Sequence, residues 1–396
     1  MKMNSNNCLN IAVLSSTRAD YGLLAPVAQQ LSKYDNIHTH FIVTGTHLSK
    51  EYGMTVSYIE DDGFEIAARI PILADSTNSP VDTSSSMARA ILRFSQYFHT
   101  NRPNALILLG DRFETLAVCI AAFNEKIPVI HLHGGEKTEG AADDAYRHCI
   151  TKMSSLHFTS TEEYRQRVIQ LGEQPDTVFC TGAVGVENIR RIPLLSKKEL
   201  ENSLGFVLNE PYVMTTYHPT TLDPMGAKAE VEELLKAIHA FPNLTYLITQ
   251  ANADHGGTII NERLQEYAQT HNNVHFVKNL GTVRYLSAMK YAAFALGNSS
   301  SAIIETPSFK IPTINIGNRQ KGRTTGQSVI HCKTSASDIC QSIETALSED
   351  FRNLAASSQN PYEQEGTSER IAKTIIDFLS SEKLHCFKSF YDLKAF

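Results

Sequence analysis

The chain reads as an α/β protein of two doubly wound lobes. Short apolar, β-branched runs at Ile11 to Leu14, Thr39 to Val43, Ala105 to Leu109 and Pro128 to His131 alternate with helix-length stretches. The alternation then starts again at Tyr212 to Thr216, Thr245 to Thr249, Val274 to Val277, Ala293 to Leu296 and Pro312 to Ile316. Continuous apolar strands separated by helices predict parallel sheets covered on both faces. At 396 residues the chain also exceeds what one core holds, since cores stop growing near ~250 to 300 residues. In such sheets ligands sit beyond the carboxyl ends of the strands, and Arg18, His47, Asp111, His131 to Glu136, His218, Asn252 and Ser299 to Ser301 all fall there.

Taken in order, residues 1–192 form the first lobe. It opens with Ser15-Ser16-Thr17-Arg18-Ala19-Asp20-Tyr21-Gly22 after the first strand, where hydroxyls, backbone N–H groups and one arginine suit an anion. The segment matches neither a Walker loop nor G-x-G-x-x-G, and a plain capped strand-to-helix turn has the same letters. Ala74 to Ser86, rich in Ser, Thr, Asp and Pro, reads as a long surface loop, either passive or a lid. Ile192-Pro193-Leu194-Leu195-Ser196 breaks the pattern, and Ser196 with Glu199 carries a capping-box signal for the next helix. The second lobe spans 193–367, and 368–396 comprises a final helix and an aromatic-rich end to which the sequence attaches no role.

Composition excludes several classes. A net charge of −6 without a basic run argues against a nucleic-acid binder. No stretch approaches ~18 apolar residues, so no membrane span is expected. The seven cysteines form no Cys-x-x-Cys pair, which fits a reducing cytoplasm.

The chemistry concentrates in Gly110-Asp111-Arg112-Phe113-Glu114, His131-Leu132-His133-Gly134-Gly135-Glu136 and Asp143-Asp144-Ala145-Tyr146-Arg147-His148. Acids, histidines and arginines within a few dozen residues are what a site needs to move protons beside an anionic leaving group. Asp111 follows a strand, where helix capping alone also accounts for an aspartate. Gly134-Gly135 would let the backbone before Glu136 approach a ligand. Asp143 with Arg147, and Asp144 with His148, are four apart, which places each acid beside a base on a helix, or simply supports that helix. Repulsion among these acids is expected to raise at least one carboxyl into general-acid range.

In the second lobe, Gly297-Asn298-Ser299-Ser300-Ser301 offers hydroxyls to a diphosphate, with Glu305 about a turn later placed to accept from ribose hydroxyls. A serine cap beside a solvated glutamate is the plainer reading. Arg319 lies in the glycine-punctuated loop Gly317 to Arg323, where Lys321 and Arg323 read equally as solvated charges. His218 ends a strand before Pro219 and is placed to donate to a phosphate or protonate a leaving oxygen. Zinc at His131, His133, Glu136 and His148 is disfavoured: on a strand the first two share a face, but the spacing fits no ligand signature. The absence of G-x-S-x-G argues against a serine hydrolase.

Together Ser-Thr-Arg-Ala-Asp-Tyr-Gly, Gly-Asp-Arg-Phe-Glu, His-Gly-Gly-Glu, Tyr-Arg-His-Cys-Ile-Thr-Lys-Met-Ser and Gly-Asn-Ser-Ser-Ser resemble the UDP-N-acetylglucosamine 2-epimerases, over roughly Ile11 to Phe378. More narrowly, the chain is similar to the hydrolysing branch that makes N-acetylmannosamine for sialic acid. The resemblance implies a GT-B-like fold, a UDP-sugar in the inter-lobe cleft, neither metal nor cofactor, a homodimer or homotetramer, and a final helix crossing back to the first lobe. By motif position it implies acid/base roles for Asp111, Glu136, Asp143 and His218, with Asp144 beside them and Arg147 orienting the carboxylates. Substrate contacts fall on Arg18, His47, Arg112, His133, Asn252, Ser299, Ser300, Ser301, Glu305 and Arg319. Some relatives carry glutamate where this chain has His133, leaving either Glu136 or His133 as the proton carrier of that loop.

Inverting C2 without oxidation requires removal of a weakly acidic proton, which becomes feasible when the C1–O bond breaks with it and UDP leaves. Two faces of the sugar then require two proton carriers. The alternatives are a hydrolysing epimerase of the UDP-2,4-diacetamido-2,4,6-trideoxyglucose used on the legionaminic-acid route, and a non-hydrolysing epimerase. A glycosyltransferase would have no use for the acid-rich segment, and a non-catalytic sensor even less.

Overall fold

In the computed structural model, residues 8–74, 79–139, 141–220, 225–251, 256–381 and 383–393 are described. The chain divides into two compact units: Met1–Glu136 with Asp143–Glu187 and Gln364–Phe396, and Lys137–Ala142 with Asn188–Glu363.

The first unit carries β1 (Leu9–Ser15), β2 (Ile37–Val43), β3 (Ile66–Arg69), β4 (Ala105–Leu109), β5 (Val129–Leu132), β6 (Leu156–Thr159) and β7 (Val178–Cys180). Their order is β3-β2-β1-β4-β5-β6-β7, every pairing parallel. The apolar runs become central strands because both faces of the sheet are covered. Ile11, Val13 and Ile107 pack under helices on one side, Ala12, Leu106 and Leu108 on the other. The second unit carries β8 (Tyr212–Thr216), β9 (Thr245–Thr249), β10 (Val274–Val277), β11 (Phe294–Gly297), β12 (Thr313–Ile316) and β13 (Val329–Cys332), all parallel in the order β10-β9-β8-β11-β12-β13.

Strand order reverses between β1 and β4 in one sheet and between β8 and β11 in the other. Loops leaving the carboxyl ends at such a reversal diverge to opposite faces and open a crevice. The segments after β1 and β4 hold Arg18 and Asp111; those after β8 and β11 hold His218 and Ser299.

The strands missing from the sequence reading, β3, β6, β7 and β13, are three or four residues long, and β3, β7 and β13 are edge strands. The expected loop Ala74 to Ser86 is largely helix instead. Ser79 accepts from the Asp82 N–H while the Asp82 carboxylate accepts from the Ser79 N–H, and Pro80 starts a helix that runs to Thr100. Ser-Pro-x-Asp is a helix-start signal, and the Ser/Thr content that suggested a loop fills its first turns. Residues 75–78 lie outside the described residues. Ser196 and Glu199 form the predicted capping box. The last helix, Thr367–Ser380, buries Ile371, Ala372 and Ile375 against Leu24, Val27 and Ala28 of the helix Arg18–Leu31. No helix among the described residues is long and apolar enough to cross a membrane.

Candidate active site

The first unit gathers its acids around one cation. Arg147 is fully buried on the helix Asp143–Met153, and its Nη2 donates to the Asp111 carboxylate. Its Nη1 donates to the Glu136 carbonyl at 2.8 Å and lies 3.4 Å from Asp144 Oδ1. One guanidinium thus ties the loop after β4, the loop after β5 and the first turn of the helix together. The side chains of Asp111 and Asp144 remain about a quarter exposed. Asp144 also lies 3.6 Å from His148 Nε2. One sequence expectation changes. Asp111 does not cap a helix, because Arg112 precedes the helix Phe113–Asn124 and the Asp111 carboxylate goes to Arg147. Arg147 reaches Asp144, three residues back, as well as Asp111 across the fold. Asp111 and Asp144 thus share one guanidinium.

Glu136 is buried, accepts from Ser160 Oγ at 2.9 Å and lies 3.4 Å from His133 Nδ1. His133 has left β5 and takes a left-handed backbone conformation, φ 64°, while its N–H donates to the Phe158 carbonyl. A histidine held there is a local strain that surrounding structure must impose. His133 Nε2 is buried with no protein hydrogen-bond partner among the described residues. His131 and His133 consequently do not share a strand face. His131 Nε2–H donates to the Gly110 carbonyl at 2.7 Å, so Nδ1 accepts from Thr151 Oγ1 at 3.1 Å. Burial pushes its pKa down to about 3. It is a neutral strut beneath Asp111, not a metal ligand or proton carrier. Gly135, at φ 79°, lies so close to Tyr164 that a methyl group would collide with its carbonyl.

After β1, Thr17 caps the helix that begins at Arg18, and Asp20 completes the capping box. Asp20 accepts from Ser15 Oγ at 2.5 Å and from Ser16 Oγ at 2.8 Å. Since the Ser15 proton points to Asp20, Ser15 Oγ accepts from His47 Nε2–H at 2.9 Å, and His47 Nδ1 accepts from Thr55 Oγ1 at 2.8 Å. Burial holds His47 below its ordinary pKa, against the pull of Asp20. Both ring nitrogens of His47 are thus engaged by the protein, and it braces the Arg18 turn rather than presenting a free donor. Arg112 reaches back to the buried Glu114, 3.1 Å from Nη2.

In the second unit, Asn298 staples the two loops at the sheet reversal. Its Oδ1 accepts from the His218 N–H and its Nδ2 donates to the His218 carbonyl, both at 2.7 Å. The carbonyl of Asn298 accepts from Arg319 Nη1 at 3.2 Å and Gln320 Nε2 at 3.0 Å, while Gln320 Oε1 accepts from Arg323 Nε at 2.7 Å. Arg323 is therefore buried structure, not a solvated charge. Ser299 precedes the short helix Ser300–Ile304 without a side-chain cap bond, and Ser301 Oγ donates to Glu305 at 2.5 Å. Tyr285 lies beside Ser299, Ser301 and Thr216, and burial raises its pKa. Asn252 lies outside the described residues. The sequence reading missed Asn298, Gln320, Ser160 and Tyr285. Asn298 and Gln320 sit inside motifs already singled out, whereas Ser160 and Tyr285 reach the site from elements whose letters show only strand end and amphipathic helix.

Two parallel doubly wound units with polar residues at their sheet reversals define a two-lobed α/β protein of the nucleotide-binding type. The profile of the UDP-N-acetylglucosamine 2-epimerase family matches residues 29–376. A GDP/UDP-N,N'-diacetylbacillosamine 2-epimerase (hydrolyzing) of Campylobacter jejuni is 41% identical over 86% of this chain and 88% of its own. The polysialic acid biosynthesis protein P7 of Escherichia coli is 38% identical over 97% of both chains. The structure of a Neisseria meningitidis UDP-GlcNAc 2-epimerase bound to UDP-GlcNAc superposes with a TM-score of 0.78 at 20% identity, covering 93% of this chain and all of that one. The chain belongs to the UDP-N-acetylglucosamine 2-epimerase family and is a UDP-sugar 2-epimerase.

Proposed function

We propose that the protein is a hydrolysing 2-epimerase that converts UDP-N,N'-diacetylbacillosamine, the UDP-2,4-diacetamido-2,4,6-trideoxyglucose, and water to UDP and the free 2-epimeric sugar. Two separate acid positions in one unit carry the epimerase reading, Asp111 and Asp144 on Arg147, and Glu136 on the next loop with Ser160 and His133, and the 41% identity to the hydrolysing Campylobacter jejuni enzyme supports the hydrolytic one. One carboxylate takes the C2 proton as the C1–O bond breaks, giving UDP and a C1=C2 glycal. Water then adds its oxygen to C1 while a second acid protonates C2 from the other face, and the proton the water gives up restores that acid. Asp143, at the start of the same helix, is available to this relay. His133 Nε2, buried without a protein partner, is suited to accept from a substrate N–H or O–H.

Departure of the diphosphate is assigned to the second unit, where Ser299, Ser300 and Arg319 lie at the sheet reversal with His218. Ser301 and Glu305 form a hydrogen-bonded pair suited to ribose hydroxyls, and Arg18 and Arg112 are assigned to anionic or hydroxyl groups of the substrate. The identity to the Campylobacter enzyme supports the diacetamido sugar. A second reading, UDP-N-acetylglucosamine as substrate with N-acetylmannosamine as product, is supported by the polysialic-acid relative. Incubation with each nucleotide, followed by product NMR, tests the choice. Faster turnover of the diacetamido nucleotide to free sugar is expected. Faster turnover of UDP-N-acetylglucosamine favours the second reading, and a product still bearing UDP contradicts hydrolysis.

A further inference from the structure

The segment after the last helix lies outside the 29–376 family match, yet it is seated on the first unit by specific contacts. Lys388 Nζ donates to the Ser154 carbonyl and to Glu173 Oε2, each at 2.5 Å. The Tyr391 N–H donates to the Gly172 carbonyl at 2.9 Å, and Gln174 Nε2 donates to Ser389 Oγ at 3.0 Å. The Phe390 ring lies 4.6 Å from Lys152 Nζ and so near Gly172 that a methyl group there would collide with it.

Glu173 is 1% exposed, and it also accepts from Lys152 at 2.8 Å and from His157 Nε2–H at 3.1 Å. Burial alone would raise its carboxyl, but His157 and the two lysines bring the pKa down to about 2. Burial keeps His157 neutral, so the counter-charge comes from the lysines. Lys152 is in the last turn of the helix Asp143–Met153, and Ser154 follows it directly. Arg147 is about two turns away on that helix. Thr151, also on it, holds His131, which holds the Gly110 carbonyl beside Asp111. The tail therefore grips the far end of the element that sets the acid cluster.

We propose that Lys388 of the C-terminal tail is a positioning residue for catalysis, fixing the helix Asp143–Met153 and through it the Arg147–Asp111–Asp144 arrangement. The proposal rests on the functional reading above. A displacement of about 1 Å in a reacting group costs up to ~100-fold in rate, so a loosened helix end acts on turnover rather than on nucleotide binding.

The test compares the full-length chain with Lys388→Met, Lys388→Arg and the double variant Lys388→Met/Glu173→Gln. Measured are kcat and KM for the nucleotide sugar that the parent hydrolyses, UDP affinity by calorimetry, and amide hydrogen exchange across 143–153. In Lys388→Met, kcat is expected to fall on the order of tenfold with KM and UDP affinity within about twofold, and the 143–153 amides to exchange faster. Lys388→Arg regains most of the turnover. The double variant, which removes the unbalanced buried carboxylate and so keeps the fold, stays slow because the Ser154 carbonyl remains untied. Parent-like kcat and exchange in Lys388→Met overturn the proposal, as does recovery in the double variant, which would reduce Lys388 to charge balance. If the parent hydrolyses neither nucleotide, the functional reading fails, and the exchange comparison alone decides whether the tail fixes the helix.

Discussion

At the scale of single residues, Arg147 sets the terms of the acid cluster. Its side chain is 1% exposed, and it serves three elements at once. Replacing it with methionine removes the counter-charge from two partly buried carboxylates, and a buried pair broken this way typically costs about 3 kcal/mol or more. Chemical denaturation of Arg147→Met is expected to show a loss of that size together with lost turnover. Arg147→Lys should recover little, because a single ammonium cannot donate to Asp111, Asp144 and the Glu136 carbonyl in one plane. Parent-like stability in both variants would show that the cluster does not depend on the guanidinium. The sequence showed Arg147 as a helix-face partner of Asp143, since spacing reports neighbours along a helix but not a carboxylate 36 residues away. His133 was visible as a candidate, whereas its left-handed backbone depends on how β5 ends and has no signature in the letters.

At the scale of elements, the loop after β4 rests on His131 in β5, and this support depends on pH. The folded pKa, near 3, lies below the ordinary 6.5, so the stability that neutral His131 contributes is complete above pH 6.5 and is lost as pH falls toward 3. Within that window the contribution changes by up to about 1.4 kcal/mol per pH unit. Urea unfolding at pH 4.5 and 6.5 is expected to show a steeper pH dependence for the parent than for His131→Gln, and equal slopes would contradict the assignment. The helix Pro80–Thr100 offers a smaller test: Ser79→Ala removes its cap and should lower stability by about 1 kcal/mol. Long apolar strands and the helix start at Ser196 were legible because periodicity and caps are local. Short strands such as β6 and β7 were not, because their four and three residues obtain strand geometry from neighbours already in the sheet.

At the scale of the whole molecule, the two-unit architecture was legible because the strand pattern runs twice, and the proposed roles divide between the units, proton transfer in the first and the diphosphate in the second. Arg319→Ala is expected to weaken UDP binding by about tenfold with kcat changed little, as loss of a charge-assisted contact predicts. Asp111→Asn and Glu136→Gln should lose turnover by at least ~100-fold while binding UDP as the parent does. Calorimetry with UDP beside steady-state rates checks this, and loss of UDP affinity in the carboxamide variants would reverse the division. Elimination across C1 and C2 exchanges the C2 proton with solvent, so the reaction run in deuterated water and followed by NMR at C2 reads it out. Free UDP and a 2-epimeric sugar fully deuterated at C2 are the predicted products. Release of UDP with the original proton retained at C2 would rule out elimination across C1 and C2.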